Sequence, residues 1–251
     1  MGSVEAQLRK IRAAAVDAGV LTKQALGLPG GRTRAQVAAL KASFNDAELD
    51  PLRVALVAQA SQRQPAEIEA FVDAFADLPY PGDVPLDGWA KPGSMSLRDC
   101  KTLHALVCAF EPVICVETGT AAGVSAAVIL RNLTRRAVGR LYSIDVAGPR
   151  SAQYGALIPP DLRGRWELRL QDETPLLEEL GTIDLFLHDS RHTYRHMRWE
   201  YELAWPHIRA GGCLASHDVI TTAAFEEFVR NHADTIAHSG TIGNLGFIIK
   251  A

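Results

Sequence analysis

From Pro112 onward the sequence predicts an α/β domain built on a doubly wound, mostly parallel sheet, with a helical appendage ahead of it. Three observations carry this. Short β-branched or aliphatic runs (113–117, 141–145, 166–170, 183–189, 213–218 and 245–250) alternate with helical stretches (124–130, 175–180, 194–205 and 225–231). The runs are apolar on both faces, the pattern of strands covered by helices on each side. They also end on acids, Glu117, Asp145, Asp189 and Asp218, at the edge of a parallel sheet where ligands bind.

The elements follow in order. Residues 1 to about 78 read as helices: Leu8, Ile11, Ala15 and Val16 share one face, and Val37, Leu40 and Phe44 begin a second stripe. Asp50-Pro51 has the form of a helix cap followed by proline at the first helical position, and Pro65 repeats the signal before Ile68, Phe71, Val72 and Phe75. These helices are expected to serve as an appendage or oligomer contact, with a lid over an active site as the sharper alternative. Prolines and glycines crowd residues 79–93 and mark a linker, so the chain divides into 1–94, helical appendage and linker, and 95–251, the α/β domain. Ser96 with Asp99 three residues on opens a helix whose buried face is Leu103, Leu106, Val107 and Phe110.

The first strand runs into Glu117-Thr118-Gly119-Thr120-Ala121-Ala122-Gly123 and then a helix. Gly119 permits a tight turn and close approach of a ligand, and Gly123 permits close packing where the helix begins. The spacing is ExGxxxG; a dinucleotide fingerprint would need glycine where Ala121 and Val124 stand. Asp145, closing the second strand, is placed to accept hydrogen bonds from both ribose hydroxyls. Asp172, after the third strand, reads equally as an adenine contact or as a helix cap. The ligand implied is a nucleoside without a diphosphate.

With these residues the chain from about 95 to 251 resembles the class I S-adenosylmethionine-dependent methyltransferases, whose sheet is Rossmann-like. The resemblance rests on the glycine turn, on Leu141-Tyr142-Ser143-Ile144-Asp145, and on Gly211-Gly212 before the fifth strand. It implies S-adenosylmethionine as cofactor, with Glu117 and Gly119 by its methionine end, Asp145 by the ribose and Asp172 by the adenine.

The densest chemistry lies in His188-Asp189-Ser190-Arg191-His192-Thr193-Tyr194 and in Ser216-His217-Asp218. These segments end the fourth and fifth strands, neighbours in this fold, which gathers Asp189, His192, His217 and Asp218 beside the cofactor. Carboxylates with an imidazole suit a divalent cation such as Mg²⁺ or Mn²⁺, and the histidine leaves other transition metals open. The segments look similar to metal-dependent catechol-type O-methyltransferases and to bacterial macrolide and sugar O-methyltransferases. That resemblance implies Asp189, His217 and Asp218 as metal ligands, with His217 where the family has a carboxylate and His192 where it has a catalytic lysine. A histidine titrates near neutral pH and suits a general base for a hydroxyl, so His192 reads as the base, against a structural role binding Asp189 or Asp218. His217 is ligand or neighbour to the ligands; His188 is a cofactor contact or a satisfied core histidine. A zinc pair of His192 with His196 requires a helix that starts before His192, and no Glu lies between them as in HExxH.

Composition narrows the partners. Lys+Arg 26 against Asp+Glu 29 gives a net charge of −3, which points away from nucleic acid and anionic membranes. No apolar run approaches the roughly 18 residues of a membrane span, and the first residues lack a signal-peptide layout. A cytoplasmic enzyme acting on a small molecule is expected, as a homo-oligomer. The four cysteines form no CxxC pair and read as buried thiols. The function predicted is O-methylation of a small hydroxylated metabolite, a sugar or natural product, with or without assistance from a divalent metal. The competing readings are a metal-dependent hydroxylase or hydrolase, a nicotinamide oxidoreductase lacking its glycines, and a non-catalytic nucleoside-binding protein.

Overall fold

A computed structural model of the chain describes residues 32–76 and 95–251. The helical stripe of Leu8 to Val16 and the linker at 79–93 lie outside the described residues. Three N-terminal helices are described: α1 (Arg34–Ser43), α2 (Asp46–Ser61) and α3 (Pro65–Ala76). Then come α4 (Leu97–Phe110), β1 (Ile114–Thr118), α5 (Val124–Arg135), β2 (Arg140–Asp145), β3 (Trp166–Leu170), α6 (Glu173–Leu180), β4 (Ile183–His188), α7 (Tyr194–Ala204), β5 (Ile208–His217), α8 (Ala224–Asn231), β6 (Ile236–Ile242) and β7 (Leu245–Lys250).

The strands form one seven-stranded sheet in the order β3-β2-β1-β4-β5-β7-β6. β1 to β5 run parallel, and β7 pairs antiparallel with both β5 and β6. This is the predicted Rossmann-like, doubly wound sheet. The strand missing from the prediction is β6, whose exposed and half-buried residues alternate as on an edge strand, with a Gly243-Asn244 turn leading back into β7.

Local chemistry sets the ends of the elements. Thr33 and Gln36 form a reciprocal capping box at α1, and Ser96 caps α4 by accepting the Asp99 N–H, as its spacing predicts. α2 begins earlier than Asp50-Pro51 suggests. Asn45 accepts the Ala47 N–H at 3.1 Å and caps the helix, which leaves Pro51 inside it. Asp50 instead binds Arg53 and, at 2.8 Å, Lys101.

One face of the sheet and the N-terminal helices share a continuous core. Leu52 and Val57 of α2 and Ile68, Val72 and Phe75 of α3 are buried in the same cluster as Leu103, Val128, Leu245 and Phe247. On the other face Met197, Tyr201 and Trp205 pack with Phe186, Leu214 and Phe228, the core stripe predicted for α7. All four cysteines are free and buried.

Candidate active site

Register gathers the site. Thr118 of β1 pairs with His188 of β4, and His188 with Ser216 of β5, so Gly119, Asp189 and His217 emerge side by side at the carboxyl edge of the sheet. The Asp189 N–H donates to the Thr118 carbonyl at 3.0 Å. Gly119 has φ +82°, and a Cβ there would stand 2.2 Å from the Asp189 carbonyl oxygen. Only glycine lets these two loops touch.

Gly123, at φ +91°, would drive a Cβ within 2.7 Å of Ile158. The segment after β2 is therefore a cover seated on the glycine turn: Gly155 N–H donates to Ala121 O at 3.0 Å and Leu157 N–H to Ala122 O at 2.9 Å. Its Leu157, Ile158 and Leu162 belong to the core.

Glu117 is fully buried and accepts hydroxyl hydrogen bonds from Ser125 (2.8 Å) and Ser143 (2.6 Å). Burial pushes its carboxyl up to about 7 against these two bonds. Asp145 accepts the Ala121 N–H at 3.2 Å and the Val146 N–H at 2.8 Å, which ties the end of β2 to the glycine turn and leaves acceptor capacity on both oxygens. Asp172 is exposed at the start of α6 and makes no capping bond.

At the ends of β4 and β5 the predicted Asp189, His192, His217 and Asp218 do meet. His217 Nδ1 lies 2.9 Å from Asp189 Oδ1 and 3.9 Å from Asp218 Oδ2. His192 Nε2 lies 3.3 Å from Asp218 Oδ2 and 3.6 Å from Asp189 Oδ1. Burial works against a charged His217, but Asp189, Asp99 and Asp218 outweigh it and hold the imidazole up to about 10. Burial lowers His192 despite the attraction of Asp218 and Asp189, so it is neutral at neutral pH. Asp218, which burial would raise, is brought down to about 2 by His217, Asn244, His192 and Lys41.

Sequence reasoning missed several neighbours of this cluster. Asp99, read only as a helix-start residue, is buried and faces His217 Nε2 at 3.3 Å. Asn244, from the β6–β7 turn, donates to Asp218 Oδ1, and Lys41 of α1 donates to the same oxygen at 2.9 Å. The turn dipeptide was the one available signal for Asn244; nothing local in the sequence marks Asp99 or Lys41.

A divalent cation fits this donor set by displacing the proton that His217 holds between Asp189 and Asp99. Ligand atoms around an ion with bonds of about 2.1 Å sit roughly 3 Å apart, comparable to the 2.9 Å between His217 Nδ1 and Asp189 Oδ1. Asp99 at the opposite ring nitrogen is the partner that metal-bound histidines commonly have. The ligand atoms that lie within 4.8 Å of one another are those of Asp189, His192 and His217; Asp218, expected from the sequence as the third ligand, is not in that group.

His188 turns inward. It is fully buried, its Nδ1 pairs with Glu200, and its Nε2 finds no protein partner among the described residues. Glu200 also accepts from Thr118 (2.8 Å), Ser190 (2.6 Å) and His196 (2.8 Å). Burial would raise this carboxyl, but His188 and His196 hold it well below the usual range. α7 starts at Tyr194, after His192, so His196 pairs with Glu200 rather than with His192.

Residues 116–219 match a family model described as a methyltransferase domain, less than half of the chain. No curated protein matches it. The fold is similar to an O-methyltransferase from Bacillus cereus solved in complex with SAH, at 15% identity and TM-score 0.51, covering 77% of this chain and 95% of that one. It is likewise similar to TomG, an O-methyltransferase from Streptomyces achromogenes involved in tomaymycin synthesis and solved with SAM, at 16% identity and TM-score 0.52, covering 78% and 89%.

Proposed function

Starting from a methyltransferase domain at residues 116–219, carried on a Rossmann-like methyltransferase fold, we propose that the protein transfers the methyl group of S-adenosylmethionine to a hydroxyl of a small metabolite, a sugar or natural product. The observation that carries this reading is the placement of His192 at the carboxyl edge, with Nε2 facing Asp218 and Asp189 and Nδ1 buried without a protein partner among the described residues. The two carboxylates favour the proton on Nε2 and leave the lone pair on Nδ1, which is buried here, so a substrate hydroxyl would give up its proton to it only after the ring or its cover shifts. S-adenosylmethionine, when bound, would supply the methyl group to the hydroxyl oxygen and leave as S-adenosylhomocysteine. Asp189 and Asp218 stabilise the imidazolium that results.

The glycine turn with Gly119 and Gly123, together with Glu117, Asp145 and Asp172, forms the cofactor side. Asp145 takes the ribose hydroxyls on its remaining acceptor sites, and Asp172 meets the adenine. Glu117 acts from beneath the turn, and His188 supports the cofactor side through Glu200. Asp189, His217 and Asp218 would hold a divalent cation, Mg²⁺ or a transition ion. Such an ion lowers the pKa of a bound hydroxyl and fixes its direction. Residues 1–94 act as an appendage to the domain of 95–251, and α1 closes the substrate side. The setting is cytoplasmic, with the chain as a homo-oligomer. Among the described residues no helix is long and apolar enough to cross a membrane.

The test pairs binding with turnover. Calorimetry with S-adenosylhomocysteine is expected to show one cofactor site, and His192→Ala is expected to keep that site while methyl transfer from labelled cofactor falls by about 10²–10⁴. Binding of NADH in place of S-adenosylhomocysteine, or parental turnover by His192→Ala, would sink the reading. Turnover is also expected to fall in EDTA and to return with Mg²⁺ or Mn²⁺.

A further inference from the structure

A methyl-acceptor site needs an acceptor of some chemical class, and α1 supplies a wall that selects one. The chain is pinned to the loop after β5 at Arg32, whose N–H donates to Thr221 O at 2.7 Å and whose guanidinium donates to Ile220 O. Further along α1, Lys41 is anchored on Asp218. A cavity of about 510 Å³ is bounded by Arg32, Val37, Lys41, His192, Tyr194 and Thr222, among others, a size suited to a small ligand. Its surface is mostly carbon, which suits a ring.

Two cations line this cavity, and they are not equivalent. Lys41 is in direct contact with Asp218 at 2.9 Å, a carboxylate that it shares with His192 and His217. The Arg32 side chain is only 16% exposed, yet its ion pair is with Glu226 at 3.8 Å, on a side chain that is 54% exposed. A pair so long and so open to water contributes little. Arg32 is thus a largely buried, positionally fixed guanidinium with weak neutralisation, and a guanidinium presents planar paired donors that match a carboxylate.

We propose that the acceptor is an aromatic hydroxy acid, its carboxylate bound by Arg32, its ring in the cavity beside α1 and Tyr194, and its hydroxyl at His192. This rests on the reading of the site as a hydroxyl methyltransferase. Arg32 is then the specificity-determining residue, and Glu226 competes weakly with the substrate for it.

The test uses the full chain and two probes, 3,4-dihydroxybenzoate and its methyl ester, titrated calorimetrically with and without S-adenosylhomocysteine. The acid is expected to bind about tenfold more tightly than the ester, the size of one charge-assisted hydrogen-bond pair. Arg32→Gln is expected to abolish that preference by weakening the acid alone. Glu226→Gln, a substitution on an exposed side chain, is expected to strengthen the acid and leave the ester unchanged. Equal binding of acid and ester, absence of binding by both, or equal weakening of both in Arg32→Gln would overturn the proposal. Cofactor binding is read in separate titrations, so its failure counts against the methyltransferase reading alone.

Discussion

His217 sits where three carboxylates converge, and its ring faces Asp189 on one side and Asp99 on the other. Its pKa is held up to about 10, above an ordinary value near 6.5, so its charge stabilises the fold fully below about pH 6.5 and that stability is lost as the pH rises through about 10. The difference in denaturant midpoint between the parent and His217→Gln is therefore expected to be greatest near pH 6 and to shrink by pH 10; a constant difference would contradict the assignment. Glu117 has the same sign from a different cause. Burial holds it up to about 7, so its contribution is lost between about pH 4.5 and 7, and Glu117→Gln is expected to match the parent at pH 4.5 and exceed it in stability at pH 8. Asp99 tests His217 as a metal ligand: an ion would displace the Nδ1 proton and leave Nε2–H on Asp99, so Asp99→Asn is expected to weaken Mn²⁺ binding about 10- to 100-fold, measured by titration of the purified protein. The predicted Asp189, His192, His217 and Asp218 were legible because each sits at a strand end, where sequence order alone fixes position. Asp99 and Lys41 reach the same place from helices distant in sequence, and no local spacing records that.

The elements that shape the site are two loops in contact with little room to spare. Gly119 brings the turn after β1 against the Asp189 backbone, and a Cβ there would meet a carbonyl oxygen at 2.2 Å from a left-handed backbone position. Neither loop can relieve that contact by rotating a side chain. Gly119→Ala is expected to cost about 1–3 kcal/mol from the backbone conformation alone and, by displacing Asp189, to reduce S-adenosylhomocysteine binding in calorimetry; an alanine variant with parental affinity would show that the two loops move independently. The alternation of apolar runs with helices revealed β1 to β5 and β7, because buried parallel strands are apolar on both faces. β6 escaped it for the opposite reason. An edge strand with one wet face, written Ile236-Ala237-His238-Ser239-Gly240-Thr241-Ile242, carries only an alternating signal, and its Ala237, Ser239 and Thr241 are exposed. α2 was misjudged at its start because Asp50-Pro51 matches a cap by composition, whereas the capping bond belongs to Asn45.

At the scale of the whole molecule, the net charge of −3 is the small difference between 26 basic and 29 acidic side chains, while Glu117, Asp145, Asp189 and Asp218 gather at one edge of the sheet, as their strand-end positions predict. A sulfonium cofactor, itself cationic, suits that edge. The proposed division at residue 95 is a division of sequence character, and the packing runs across it. Phe75 of α3 is 2% exposed and lies 5.2 Å, ring to ring, from His104 of α4; burial lowers that histidine to about 4, with Arg135 and Arg131 adding to the effect. Both belong to the layer between the N-terminal helices and the sheet, and the core cluster continues through Leu103 to Val128 and Phe247. Helices that share a core with the sheet unfold with it, because removing them exposes the apolar face of α4 and of the strands behind it. Phe75→Ala is accordingly expected to destabilise by about 3–5 kcal/mol and to lower a single unfolding transition, with helical circular dichroism and tryptophan fluorescence moving together. Two separated transitions, with the tryptophans unaffected by the substitution, would mean that the N-terminal helices fold as an independent unit and that α1 is carried to the active site by a tether rather than by a common core.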